Sequence, residues 1–253
     1  MPNAAVTGLV EEADKSGRLP EAERQLRGLR PGYTRTSAYH SALGYLHNKL
    51  GRAEEALADY RRALAIDPRD QLAIEETVSF FCRLGREQEA RVFFRQASGR
   101  AAGKVSDLNQ LAVVALRQGW AAEAEPLLRR VLESDPGNPG VLANLAASLK
   151  QQGRSGDALA AMREAVSRDP GNARNQFNFG AMLADQGRFA DALKAFETAS
   201  ANGLRSPQVH IAAAKMHFRL GDPGGSAREL EKALALDPSN DEAREMLAAL
   251  KAG

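Results

Sequence analysis

The sequence predicts an all-α protein, a solenoid of antiparallel helix pairs that repeats every 34 residues. Two series of small residues support this prediction. The first is a glycine that recurs without insertion or deletion, at Gly17, Gly51, Gly85, Gly119, Gly153, Gly187 and Gly221. The second follows five residues later, at Ala22, Ala56, Ala90, Ala124, Ala158, Ala192 and Ser226. Self-similarity at a fixed period of this length is typical of stacked helical repeats.

The glycine series divides the chain into seven repeats. With the glycine at position 15 of each, the boundaries are 3–36, 37–70, 71–104, 105–138, 139–172, 173–206 and 207–240. Apolar residues on either side of each glycine follow the spacing of an amphipathic helix. We therefore expect one solenoid over residues 1–253. Residues 241–251 are expected to form a capping helix, with Ala243, Met246, Leu247 and Leu250 turned inward.

Local signals in the repeats agree with this period. A glycine just past a helix can adopt the left-handed conformation that closes the last turn. The second helix of four repeats runs into an Asp-Pro pair, where proline prevents the helix from continuing. Position 34 supplies a side chain that can cap the next helix in six repeats, at Thr36, Asp70, Asn138, Asn172, Ser206 and Asn240; Lys104 is the exception.

Composition and charge exclude several classes of protein. A net charge of +2 is too small to favour nucleic acid as a partner. Cys82 is the only cysteine, so no disulfide forms within the chain. No apolar stretch is long enough to span a bilayer, and residues 1–15 lack the pattern of a secretory signal. We expect a soluble cytoplasmic protein, or a periplasmic one if a signal segment has been removed. Abundant Arg, Ala and Gly are typical of GC-rich bacterial genomes.

The pattern within the repeats resembles the tetratricopeptide repeat family over residues 3–240. The second repeat carries Leu43, Gly44, Ala56, Tyr60, Ala63 and Pro68, and the sixth carries Phe179, Gly180, Ala192, Phe196 and Ala199. The sixth departs from the family at Leu204, where the family has proline. This resemblance implies a right-handed superhelix. It also implies that the first helices line a concave groove, with positions 2, 5, 6, 9, 12 and 13 facing a ligand.

Primary amides follow one another on this expected groove face. Gln110, Asn144 and Asn178 occupy position 6 of successive repeats, with Asn109 beside the first. Stacked amides can donate to and accept from a peptide backbone, which favours an extended ligand. The row resembles the asparagine ladder in the repeats of the O-linked N-acetylglucosamine transferase. Alternatively, these amides are solvated residues on a helix surface.

Cations occupy position 13 of four consecutive repeats, at Lys15, Lys49, Arg83 and Arg117. They could steer an acidic peptide into the groove, although cations are favoured in the last turn of any helix by its dipole. Glu75 and Glu76 in the same region interrupt any continuous positive field. The family's carboxylate clamp for chaperone tails is matched only by Asn109, Asn144 and Arg174, so we do not expect that ligand. The residues expected to contact a partner are Arg83, Asn109, Gln110, Arg117, Asn144, Lys150, Arg174, Phe177 and Asn178.

The groove is more apolar toward the C-terminus. Phe177, Ala181, Ala184, Ile211 and Phe218 occupy groove positions in the last two repeats. An amphipathic helix of a partner could dock against them. Alternatively, the capping helix covers part of this surface.

No residue pattern indicates catalysis, a cofactor or a metal. His40 and His47 are seven residues apart on one helix, as are His210 and His217, which is too far to share a metal ion. They stand where the family places packing aromatics. No phosphate-binding loop, nucleophile elbow or metal-ligand spacing is present.

We therefore expect a non-catalytic scaffold that binds a protein or peptide in the concave groove and is also able to form homo-oligomers. One alternative is the substrate-recognition region of a larger enzyme such as a protein glycosyltransferase, which a gene continuing past Gly253 would favour. A second alternative is an RNA-binding helical-repeat protein. The scarcity of groove aromatics disfavours it, because single-stranded bases stack on such side chains.

Overall fold

The computed structural model describes residues 2–100 and 105–252, and every regular element within these ranges is an α-helix. The all-α fold class is therefore confirmed. Sixteen helices occupy the described residues: α1 (Pro2–Ser16), α2 (Leu19–Arg27), α3 (Pro31–Thr34), α4 (Ser37–Lys49), α5 (Ala53–Ile66), α6 (Gln71–Arg83), α7 (Glu87–Arg100), α8 (Val105–Arg117), α9 (Ala121–Ser134), α10 (Pro139–Gln151), α11 (Ser155–Arg168), α12 (Ala173–Asp185), α13 (Phe189–Ala201), α14 (Pro207–Arg219), α15 (Pro223–Leu236) and α16 (Asp241–Ala252).

The chain forms two compact units, an N-terminal unit of Met1–Gln118 and a C-terminal unit of Gly119–Gly253. In the N-terminal unit, α1 packs with α2, α4 with α5 and α6 with α7, while α4, α6 and α8 contact one another in sequence. In the C-terminal unit, α10 packs with α11, α12 with α13, and α14 with α15, and α16 packs on α15. Consecutive pairing agrees with the repeat pattern. That all seven repeats form one continuous solenoid stays a prediction.

The recurring glycine of each repeat has a positive φ. The values run from 69° at Gly17 to 77° at Gly221, in the left-handed region that glycine enters without a Cβ clash. At Gly51, the closing hydrogen bonds run from its own N–H to the Asn48 carbonyl and from the Arg52 N–H to the His47 carbonyl, at 3.1 and 2.8 Å. These bonds satisfy carbonyls that the helix end would leave without a partner. The predicted role of the glycine series is confirmed.

The helix caps also follow the sequence. Side-chain oxygens at position 34 accept hydrogen bonds from backbone N–H groups in the first turn of the next helix. The accepting residues are Thr36, Asp70, Asn138, Asn172, Ser206 and Asn240. The helices before the four Asp-Pro pairs end at the residue preceding the aspartate. Lys104, which breaks the series, lies outside the described residues. The first repeat differs from the expected pair by an additional short helix, α3, which begins at Pro31.

Small residues let the two helices of a repeat approach closely. The alanines at position 20, and Ser226 in the last repeat, are at most 3% exposed. Large rings lie on the glycines at position 8. A Cβ added to Gly44 would come within 2.6 Å of the Tyr60 ring, and one added to Gly180 would come within 2.8 Å of the Phe196 ring.

The capping helix α16 covers the end of the C-terminal unit. Ala243 is fully buried, and Met246, Leu247 and Leu250 pack against a cluster that includes Ile211 and Leu230. This is the inward face predicted from the sequence. Ile211 therefore lies in the core and not on an open groove, because α16 occupies the space that the next repeat would fill. No helix among the described residues has both the length and the apolar character needed to cross a bilayer.

Candidate functional site

In the N-terminal unit, the first helices carry a network of charged and polar side chains. Asp14 on α1 accepts a hydrogen bond from the Tyr45 hydroxyl at 2.7 Å, and its other oxygen lies 3.3 Å from the Lys49 ammonium. The hydrogen bond from Tyr45 holds the pKa of Asp14 below its usual value. Lys49 is thus paired with a carboxylate of the preceding repeat.

The next link of this network joins α4 to α6. The Asn48 amide donates to Glu76 at 2.8 Å, and its carbonyl oxygen accepts from the Arg83 guanidinium at 3.1 Å. Burial raises the pKa of Glu76, while the positive charge of Arg83 and the Asn48 hydrogen bond oppose that effect. Arg83 is thus held at the surface by a polar contact with a neighbouring helix.

Arg117 at the end of α8 forms an ion pair with Glu75 on α6. The sequence predicted the row of cations at position 13 and predicted that Glu75 and Glu76 interrupt a continuous positive field, but it did not identify Asp14 as the partner of Lys49. Lys49 and Arg117 are both matched by carboxylates of adjacent first helices. The row therefore presents a mixed charge pattern and not a positive stripe.

The expected amide row divides between the two units. On α8, Gln110 is exposed and Asn109 is half-buried. On the first helices of the C-terminal unit, Asn144 is half-buried and Asn178 is exposed. Each of these four side chains is thus at least partly exposed to solvent. Their joint use as a ladder stays a prediction.

In the C-terminal unit, α12 carries two of the predicted contact residues in exposed positions, Arg174 and Asn178. Arg174 is exposed and forms no ion pair with any described residue. Asn178 follows it by one helical turn, so the two side chains share a face. Between them in sequence, Phe177 is half-buried and its ring lies 5.4 Å from the Phe196 ring. Phe177 therefore helps to pack the helix pair and exposes only part of its surface.

Other predicted groove residues have different surroundings. The Lys150 ammonium at the end of α10 lies 2.6 Å from a carboxylate oxygen of Asp185 on α12, so its charge is balanced. Phe218 on α14 is 60% exposed. Its neighbour Arg219 lies over the Phe189 ring, 5.9 Å from the centroid.

His47 is buried and the other three histidines are half-buried, and each of the four lies close to a carboxylate. His47 is 2% exposed, and its ring lies between two carboxylates, with Nδ1 2.8 Å from Asp59 and Nε2 3.2 Å from Glu23. His210 has one carboxylate neighbour, with its Nδ1 2.8 Å from Glu229. No group of three or more His, Cys, Asp or Glu side chains among the described residues has the geometry of a metal site.

Glu23 and Glu125 occupy position 21 of the first and fourth repeats and have equivalent partners. Glu23 pairs with Arg52, and Glu125 with Arg154 at 3.0 Å, in each case the arginine that follows the glycine of the next repeat. Burial acts to raise the pKa of Glu23, but hydrogen bonds from Arg52, His47 and Arg27 outweigh it and lower the pKa to about 2. These contacts tie adjacent helix pairs together and are structural in role.

The helices pack in consecutive pairs, and the first helix of each pair carries polar side chains at its surface. This arrangement defines a helical-repeat protein. A family model described as Tetratricopeptide repeat matches residues 10–168, and a second with the same description matches residues 143–203 and 177–241. The chain belongs to the tetratricopeptide repeat family, as its repeats predicted. Among functionally curated proteins, no sequence matches it.

Several solved structures share the fold. PilW, described as a widely conserved type IV pilus biogenesis factor, is 19% identical with a TM-score of 0.64, over 83% of this chain and 98% of PilW. YrrB, described as a TPR protein with an unusual peptide-binding site, is 17% identical with a TM-score of 0.53, over 74% of this chain and 96% of YrrB.

A chain of the APC/C hetero-tetramer Cut9–Hcn1 is also similar. It is 18% identical with a TM-score of 0.60, and the match covers 97% of this chain and 48% of that one. The present chain therefore spans about half the length of that relative. At such identities, the similarity of all three structures concerns the fold alone.

Proposed function

We propose that this chain is a non-catalytic scaffold for protein–protein interaction, which binds a peptide or helix of a partner along the groove that first helices form in its family. The observation that carries this proposal is the exposed face of α12, where Arg174 and Asn178 stand one turn apart and Arg174 has no ion pair among the described residues. Three other cations among the residues expected to contact a partner are held by a polar or acidic neighbour: Arg83, Arg117 and Lys150.

The chemistry of this face favours an extended acidic segment. A guanidinium forms strong, directional hydrogen bonds with a carboxylate. The Asn178 amide can hydrogen-bond to the backbone of the same segment, and the exposed part of Phe177 can contact an apolar side chain. Asn144, at the equivalent position of α10, would extend the amide contacts by one repeat. The family supports the general role, and the description of YrrB mentions a peptide-binding site in that relative.

The test is to select ligands from a displayed random-peptide library with the wild-type chain, and to measure their affinities by fluorescence anisotropy. We expect Arg174→Gln to weaken a selected acidic peptide by about tenfold, since a charge-assisted hydrogen bond contributes roughly 1.5–3 kcal/mol. The double variant Asn144→Ala, Asn178→Ala should also weaken binding if the amide row contacts the peptide backbone.

The matched control is Arg163→Gln, which removes an exposed arginine from the second helix α11. Thermal melting of each variant shows whether the fold is intact. Equal losses of affinity in Arg163→Gln and Arg174→Gln would mean that net charge, and not the α12 face, governs binding. Loss in Arg174→Gln with no change in the amide variant would retain the groove but exclude the amide row.

A further inference from the structure

The N-terminal unit contains a second candidate surface, a cleft bordered by α5, α6 and α7. We call it the α5–α7 cleft; its apolar lining comes from Leu64, Pro68, Phe81 and Phe93, and its charged lining from Arg61 and Arg100. Its volume is about 640 Å³, within the range of roughly 300–1,000 Å³ that ligand pockets occupy. None of these residues belongs to the first-helix face proposed above to bind a peptide.

The two arginines of the α5–α7 cleft have no ionic partner. Both are exposed, and neither forms an ion pair with any described residue. Two neighbouring arginines on the same helices are paired, since Arg62 lies 2.8 Å from Asp59 and Arg91 lies 2.9 Å from Glu87. Arg95 on α7 also has no ion pair among the described residues, but it does not line the cleft. The lining itself contains two cations and no carboxylate.

One aromatic ring of the cleft is covered on one side. The Arg86 guanidinium lies 5.0 Å from the Phe81 ring centroid and is paired with Glu89 at 2.6 Å. Phe81 and Phe93 are each half-buried, so both rings retain surface that a ligand can contact. The phenylalanine rings are thus partly accessible to a ligand. The charge of Arg86, which lies over the Phe81 ring, is neutralised by Glu89.

Two clefts of the C-terminal unit occupy equivalent repeat positions, and their linings differ from that of the α5–α7 cleft in charge. The cleft at α11 and α13 contains the ion pair of Arg188 and Asp191. The cleft at α13 and α15 contains Glu229, which is bonded to His210 and Lys232. The first of these clefts also contains Lys194, so each of the two linings combines cations with at least one carboxylate, whereas the lining of the α5–α7 cleft contains two cations and no carboxylate.

The residues at matching repeat positions explain this difference. Position 23 is Phe93 in the α5–α7 cleft, but Ala195 and Glu229 in the other two. Position 25 is Arg61 in the α5–α7 cleft, whereas it is Glu197 in the cleft at α13 and α15. The lining of the α5–α7 cleft therefore contains two phenylalanine rings, whereas the other two linings contain one each, Phe179 and Phe196, and it is the one of the three without a carboxylate.

We infer that the α5–α7 cleft binds a segment of a protein partner in which a Phe or Leu side chain is flanked by Asp or Glu residues. The apolar side chain would contact Phe81 and Phe93, removing their exposed surface from water. The flanking carboxylates would pair with Arg61 from α5 and Arg100 from α7. Because these cations come from two separate helices, a ligand with carboxylates on both sides of its apolar group fits better than a fatty acid with one.

The probe for this inference is a set of fluorescein-labelled synthetic peptides with Phe or Leu between Asp and Glu residues. Two comparison sets replace the acidic residues with Lys, or the apolar residue with Ser. Binding is measured by anisotropy at low and at physiological salt. We expect the acidic apolar set alone to bind, with affinity falling as salt screens the charges.

The variant Arg61→Glu, Arg100→Glu reverses both cations of the cleft. Its matched control is Arg163→Glu, Arg168→Glu, which makes the same changes at the same two repeat positions of the fifth repeat. We expect the first variant to weaken binding by at least about tenfold and the control to bind as the wild type does. Phe93→Ala should also weaken binding, and its thermal melting curve shows whether the fold is retained.

Four results would overturn the inference. One is the absence of binding by any peptide of the acidic apolar set. The second is an equal loss in both double variants. The third is displacement of the peptide by oleate, which would show the site to be a small-amphiphile pocket. The fourth is concentration-dependent self-association that the Arg61→Glu, Arg100→Glu variant abolishes, since a second copy would then be the occupant. Arg174→Gln should leave binding at this cleft unchanged, which separates this inference from the groove proposal.

Discussion

The Tyr60 ring lies directly on Gly44, at a distance where a Cβ atom would meet its edge at 2.6 Å. Gly44 is on α4 and Tyr60 is on α5, and both are buried. Contacts this close mean that the ring or a helix must move if residue 44 acquires a side chain. The pair therefore sets the separation of the two helices in the second repeat.

Gly44→Ala is expected to lower the free energy of unfolding by about 1–3 kcal/mol, because the added methyl group overpacks the interface. The control is Gly156→Ala on α11, where a Cβ meets nothing within 4 Å. That change should be neutral or stabilise by about 0.4–1 kcal/mol through the unfolded state. Chemical denaturation of both variants checks the pair, and equal effects would show that the Tyr60 contact is unimportant.

The Glu23 cluster predicts a specific dependence of stability on pH. The pKa of Glu23 falls from 4.5 to about 2 on folding, so its contribution is complete above about pH 4.5 and is lost as pH falls toward 2. Glu23→Gln should lower stability at neutral pH by about 1–3 kcal/mol, since Arg52 and His47 lose a charged partner. Denaturation curves at several pH values should converge with those of the wild type in acid. Curves that stay parallel would contradict this assignment.

Asp70 tests the caps at position 34. Its carboxylate accepts a hydrogen bond from the Ala73 N–H at 3.0 Å at the start of α6. Asp70→Ala should destabilise the chain by about 0.5–2 kcal/mol, whereas Asp70→Asn retains an acceptor and should cost less. If the two substitutions were equivalent in thermal melting, the charge of Asp70 and not its capping bond would be what matters.

The packing of α16 on the last repeat can be tested within one helix. Ala243 is fully buried against Ile211 and Leu230, whereas Ala249 is exposed. Ala243→Glu places a carboxylate in an apolar cluster and should cost about 3 kcal/mol or more. Ala249→Glu makes the same change at the surface and should be nearly neutral. Hydrogen exchange of α14 and α16 would show whether the first variant releases the helix.

The sequence predicted the helix pairs and their ends well, because the signals concerned are local. Gly153 closes a turn, and Asn138 caps the helix that follows it by accepting from the N–H three residues ahead, so neither prediction needs the tertiary structure. The inward face of α16 was predictable for a similar reason, since a single amphipathic helix reveals its apolar side.

The partners of charged residues were not predictable in this way. His47 contacts Glu23 from α2 and Asp59 from α5, and only the packed helices bring these three together. Likewise, Ile211 occupies a groove position by its number in the repeat, yet α16 covers it. The amides, the joint use of the groove residues and the continuity of the solenoid remain predictions that binding and shape measurements can test.

The polar contacts between position 12 of one repeat and position 13 of the next have opposite polarity in the two units. Asp14 faces Lys49 in the N-terminal unit, whereas Lys150 faces Asp185 in the C-terminal unit. The repeats are consequently not interchangeable. If the second repeat were spliced after the fifth, Lys150 would meet Lys49, and if the sixth followed the first, Asp14 would meet Asp185. Gene rearrangements that move these repeats in this way would thus bring like charges together. The charges at these contacts therefore favour the present order of the repeats.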